Sequence, residues 1–133
     1  MDLSTLEQAV REKVSENIQI QQEGVNRFIV FTPFMFDDGD HLVIVIRTDD
    51  GRIVLTDEGH TYMRVTHWID ERDLLTGARQ TIISNALSSF GVQDIDGELI
   101  PEVPDHQYED ALFSFIQAIL KISEMSLLER NDV

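Results

Sequence analysis

Seven carboxylates stand between Asp37 and Glu58: Asp37, Asp38, Asp40, Asp49, Asp50, Asp57 and Glu58. Clustered carboxylate oxygens hold hard cations such as Mg²⁺ and Ca²⁺. A carboxylate pair beside a base such as His60 is equipment for metal-dependent hydrolysis. The same residues have a plainer chemistry. Asp and Gly form turns, and acidic side chains suit the first turn of a helix. Spacing weighs towards the plainer one: Asp38-Gly39-Asp40 runs straight into the apolar segment Leu42–Ile46, and the ligand positions of a twelve-residue calcium loop are not met. A metal-dependent nuclease also needs a cation near the scissile phosphate. The only lysines, Lys13 and Lys121, lie off the candidate strands, leaving Arg47 as the substitute.

Other catalytic signatures are missing. The histidines His41, His60, His67 and His106 do not form a His-Glu-x-x-His pair, the helical zinc-site spacing. No Gly-x-Ser-x-Gly, Gly-x-Gly-x-x-Gly or Gly-Lys-Ser/Thr loop occurs, so serine-hydrolase and nucleotide-loop chemistry have no anchor. With no cysteine, disulfides, thiolate metal sites and cysteine nucleophiles are excluded together. No cofactor or metal site is assigned.

A second acidic zone runs from Asp94 to Asp110, with Asp94, Asp96, Glu98, Glu102, Asp105, Glu109 and Asp110 and no Lys or Arg between them. Carboxylates spaced along a stiff loop can imitate phosphates towards a basic partner, or simply form a solvated face. The whole chain carries ten basic against 25 acidic residues, a formal charge of −15. Such a surface repels phosphate backbones and anionic lipid and is compatible with a basic protein partner or a metal cation, while its plainer meaning is solubility. Direct nucleic-acid and membrane binding are therefore not expected. The N-terminus lacks the basic and apolar segments of a signal peptide, and no apolar run approaches the ~20 residues that span a bilayer. A cytoplasmic location is the expectation.

The elements that must position these residues follow from the hydrophobic pattern. Ser4 and Glu7 have capping-box spacing, and Leu6, Val10 and Val14 recur every four residues, predicting a helix over about 5–15. A short strand is expected around Ile18 and Ile20. Residues 27–36 are rich in β-branched and aromatic side chains, with Pro33 implying an edge, bulge or break. Leu42–Ile46 reads as a strand covered on both faces or at a central position. Asp49-Asp50-Gly51 before Ile53–Leu55 is a hairpin signal. Thr56 or Asp57 is the expected cap of a helix running through Trp68. Ala78, Ile82, Ala86 and Phe90 predict another helix that stops at Gly91. One or two short strands are expected around Asp96-Gly97. Tyr108, Leu112, Phe115, Ile116, Ile119 and Leu120 predict a long last helix from about 105. Strands followed by helices give an α+β class: an antiparallel meander of about four to six strands with helices packed on one face. A chain of 133 residues fits one domain.

Thr32-Pro33-Phe34, Asp38-Gly39-Asp40 and Leu55-Thr56-Asp57-Glu58-Gly59 with Thr61 resemble a small prokaryotic and phage family, domain of unknown function 1828. The resemblance covers about residues 18–90, with the whole chain as its wider extent, and implies an α+β domain with no catalytic residues to carry over. Family members are often followed by a second domain, so a chain of this length is expected as a stand-alone version. The phage and mobile-element context implies a host-interaction role.

The expected function is that of a small acidic binding or regulatory protein acting on a basic, nucleic-acid-binding protein partner, in one version as a phage-encoded inhibitor. The alternative is a metal-dependent hydrolase using Asp38, Asp40, Asp57 and Glu58, with His60 as base, at one shared end of the sheet. The binding reading draws on Asp37, Asp38, Asp40, Asp57, Glu58, His60, Asp94, Asp96, Glu98 and Glu102. A homodimer through Met125, Leu127 and Leu128 is a third arrangement, packing of these residues on the first helix being preferred.

Overall fold

The computed structural model describes residues 2–125. Helix α1 (Leu3–Asn17) leads into a four-stranded sheet of β1 (Gln19–Gln22), β2 (Arg27–Met35), β3 (His41–Asp49) and β4 (Arg52–Thr56), ordered β1-β2-β3-β4. Then come α2 (His60–Val65), α3 (Glu71–Leu74), α4 (Gly77–Phe90), the two-stranded sheet β5 (Val92–Ile95) and β6 (Glu98–Pro101), a 3₁₀ turn at Pro104–His106, and α5 (Tyr108–Ser123). The fold is α+β with an antiparallel four-stranded meander, as the sequence predicts. The chain divides into two compact units, Met1–Val54 and Leu55–Val133.

In the first unit, α1 begins two residues earlier than the capping box implies. Asp2 is the N-cap and its carboxylate accepts the Thr5 N–H at 2.8 Å, leaving Ser4 inside the helix. That backbone bond holds the exposed Asp2 carboxyl below its ordinary value. β2 and β3 are antiparallel, pairing Arg27 with Arg47 and Phe31 with Val43. The register then shifts between Phe31 and Met35, which is the irregularity that Pro33, unable to donate to the ladder, demands. The buried Thr32 hydroxyl donates to the Leu42 carbonyl at 2.6 Å across this bulge. Ile44 and the adjacent Val45 are both buried. Neighbours along a strand point to opposite faces, so β3 is covered on both, as its unbroken aliphatic run predicts. Asp50 and Gly51, with φ of 48° and 79°, make the two-residue turn into β4 that positive φ at both positions favours.

In the second unit, α5 supplies the main core stripe, burying Phe115, Ile116, Ile119 and Ile122. Leu112 and Leu120 lie at its margins. The buried face of α4 centres on Ile83 and Ala86, and Ala78, expected on that face, is exposed. Gly91 ends α4 in the left-handed region at φ 64°, as expected. The helix expected through Trp68 stops at Val65, and the chain re-enters helix only at Glu71. Trp68 is half-exposed and edge-on to His67, while Ile69 is buried. Met125 is buried. Leu127 and Leu128 lie outside the described residues. Among the described residues no helix is long and apolar enough to cross a membrane.

Candidate functional site

The segment Leu55-Thr56-Asp57-Glu58-Gly59 leaves β4 and enters α2, and its side chains are turned to structural work. Asp57 is 3% exposed. One of its carboxylate oxygens accepts the backbone N–H groups of Gly59 and Leu99, each at 2.8 Å, and the other accepts that of Thr61 at 3.1 Å. The Asp57 N–H donates to the Leu99 carbonyl at 3.2 Å. The Thr56 hydroxyl donates to Glu98 and accepts the Glu58 N–H at 2.9 Å. Glu58 and Gly59 both have positive φ, 54° and 81°. Helical φ is negative, so α2 cannot start before His60. The expected cap at Thr56 or Asp57 is thereby displaced: Gly59 occupies the N-cap position without a side chain, and Asp57 caps from further back through the Thr61 N–H.

A buried carboxylate is tolerable when hydrogen-bond donors surround it. Three backbone N–H groups meet that condition for Asp57, so its oxygens already serve as acceptors. Among the described residues no group of three or more His, Asp or Glu side chains stands where it could hold a metal ion. Asp38 caps its own turn, accepting the Asp40 N–H at 2.9 Å. Asp37, Asp38 and Asp40 are exposed on the β2–β3 turn, and His60 is exposed at the start of α2. These bonds of Asp38 and Asp57 are turn and cap bonds.

The second acidic zone builds a different arrangement. Asp96-Gly97, with φ of 54° and 90°, turns β5 into β6. Asp94 accepts the Gly97 N–H at 2.8 Å. Glu102 accepts the side-chain amide of Gln93 at 3.0 Å. Glu98 is tied to Thr56. The exposed Asp94 and Asp96 border a cleft of about 510 Å³ lined also by Tyr62 and Thr66 of the α2 region, Glu71, Leu74 and Leu75 of the α3 region, and Ile83, Ser84 and Leu87 of α4. The Tyr62 hydroxyl hydrogen-bonds to the Asp94 carboxylate. Burial, then the charge and hydrogen bond of Asp94, then the charge of Asp57, push its ionisation well above the ordinary tyrosine value. The phenol thus stays a neutral donor and pins the hairpin to α2.

The cleft unites an apolar floor (Leu74, Ile83, Leu87) with three carboxylates (Glu71, Asp94, Asp96), and none of its lining residues is cationic. Of the residues expected from sequence, it gathers Asp94 and Asp96. Glu71 and the apolar floor are not among those residues. Their only sequence signals are an acidic first turn on α3 and an α4 face with more apolar positions than its core contacts use.

The family model for the domain of unknown function DUF1828 matches residues 32–122. The chain belongs to the DUF1828 family. The match starts later than the resemblance read from sequence and continues past residue 90 to include most of α5. No curated protein and no solved structure matches the chain. The segments that pointed to DUF1828 have structural roles here: Thr32 and Pro33 form the β2 bulge, Asp38-Gly39-Asp40 the following turn, and Asp57 the lock on Leu99. The cleft and both residues of the Asp57–Leu99 lock fall within the matched segment of this DUF1828 domain.

Proposed function

We propose that this DUF1828 domain is a binding module for a basic protein segment, and that the cleft beside the β5–β6 hairpin receives a lysine or arginine side chain. The carrying observation is the lining, an apolar floor beneath carboxylates at Glu71, Asp94 and Asp96 with no cation among them. A long basic side chain is amphipathic in the same way. Its methylene stem covers apolar surface while its charged end stays at the rim. Here the stem would lie over Leu74, Ile83 and Leu87, and the charged end would meet the carboxylates. Arginine fits best, because its planar fork makes two parallel bonds to one carboxylate. The volume is in the range of small-ligand clefts, ample for one such side chain and its flanking backbone.

The charge of −15 supports the reading by steering basic partners towards the surface and opposing nucleic acid. The matching partner is a nucleic-acid-binding protein presenting the basic surface it otherwise turns to phosphates. Inhibition of such a host protein by a phage- or mobile-element-encoded chain in the cytoplasm is the biological setting this chemistry suits.

The test is fluorescence anisotropy with a labelled arginine-rich peptide and a glutamine-substituted control. Binding should require the arginines, weaken as salt is raised, and fall about tenfold or more in the Glu71→Gln/Asp96→Asn variant. Equal binding of the control peptide, or binding unchanged in the variant, would rule the cleft out.

A further inference from the structure

We propose that α1 is a dimerisation helix whose apolar row packs antiparallel against the same row of a second copy of this chain. The row is Leu6, Val10 and Val14, with Leu3 extending it. These residues are 47%, 52%, 48% and 79% exposed, and among the described residues α1 buries none. A helix in water draws most of its stability from packing an apolar face, and among the described residues this row is left about half exposed. Residues at i, i+4 and i+8 form one continuous ridge, the unit of helix–helix packing. α1 also lies wholly before the segment that matches DUF1828, residues 32–122, so the row is not part of the family's shared segment.

The charges flanking the row select the occupant. At 100° per residue, Glu7 and Arg11 stand on one flank, where they pair at 2.8 Å, and Lys13 stands on the other. In an antiparallel two-fold pair each flank meets the same flank of the other copy, because the interface is isologous. Glu7 then faces Arg11 of the second copy, and Arg11 faces its Glu7, with Val10 close to the two-fold axis. A parallel pair would instead set Arg11 against Lys13 at nearly the same height. The antiparallel arrangement also opposes the two helix dipoles. The helix is 15 residues long, so the pair buries less than the ~1,200–2,000 Å² of a standard interface. Dimerisation is accordingly concentration-dependent.

The test is light scattering on the full chain across a concentration series, with circular dichroism as the folding control. The wild type should approach twice the 15.2 kDa chain mass. Val10→Glu, and independently Leu6→Glu, should keep the helical signal and shift the chain to monomer. Glu7→Arg and Arg11→Glu should each raise the dissociation constant about tenfold, and the double exchange should return it close to the wild-type value. A wild type that stays monomeric at about millimolar concentration overturns the proposal. Slow amide exchange along α1 in that monomer would assign its cover to another segment of the same chain. A dimer indifferent to Val10→Glu and Leu6→Glu also overturns it, by placing the interface elsewhere.

Discussion

Asp57 and Leu99 are bonded in both directions: the Asp57 carboxylate accepts the Leu99 N–H at 2.8 Å, and the Asp57 N–H donates to the Leu99 carbonyl at 3.2 Å. This pair fastens the exit of β4 to β6, the strand that follows the acidic hairpin turn. The most family-like part of the sequence therefore sets the position of the cleft's acidic edge.

Asp57→Asn should be the most damaging of the carboxylate-to-amide changes. An amide has one acceptor oxygen, and its NH₂ would be turned towards a backbone N–H that needs an acceptor. Leaving a buried donor unsatisfied costs about 1–3 kcal/mol, more where a charged partner is lost. Urea unfolding should show a loss of about 2–4 kcal/mol, against less than about 0.5 kcal/mol for Glu23→Gln at an exposed loop position. A loss for Asp57→Asn no larger than the control's would show that the lock is not needed.

Gly59→Ala tests the displaced helix start. Its φ of 81° strains any L side chain, whereas the nearest atom to an added Cβ, the Gly97 carbonyl oxygen at 3.7 Å, is at ordinary contact distance. The cost should come from backbone conformation, about 1 kcal/mol. Gly59→Asn should recover part of it, since Asn tolerates the left-handed region better. Equal losses for Ala and Asn would point to sterics instead.

Tyr62 gives the pH dependence a defined sign. Its hydroxyl ionises above the ordinary value of 10.0 in the folded state, so the unfolded chain releases that proton first. The contribution is fully present below pH 10.0 and is lost as pH rises through the folded-state value. Alkaline titration followed by tyrosinate absorbance should show a component that appears only with unfolding and is absent in Tyr62→Phe. That variant should also be about 1 kcal/mol less stable at neutral pH from the lost bond to Asp94.

Local signals read the framework well. The Asp50-Gly51 and Asp96-Gly97 turns, the Pro33 bulge and the Gly91 stop each follow from a residue's own backbone preference, and the covered β3 follows from its unbroken aliphatic run. Three readings went astray where a competing local choice or a distant partner intervened. Asp2 outcompeted Ser4 as the N-cap of α1, both being good caps. Positive φ at Glu58 and Gly59 pushed α2 to His60, which nothing in the Thr56-Asp57 pattern betrays. The role of Asp57 depends on Leu99, 42 residues away, beyond any helical or strand period. The acidic zone was legible as a charge pattern. Its apolar complement was not, because Leu74, Ile83 and Leu87 look like ordinary core positions until the cleft between α3, α4 and the hairpin is seen.

Methyl NMR is the sharpest test of whether the cleft takes a basic side chain. Titrating an arginine-rich peptide into the labelled protein should shift the methyl signals of Leu74, Ile83 and Leu87 first and saturably, with the Glu71→Gln/Asp96→Asn variant losing those shifts. Shifts spread evenly over the exposed acidic residues of 102–110, with the three floor methyls unmoved, would contradict it and leave only diffuse charge attraction.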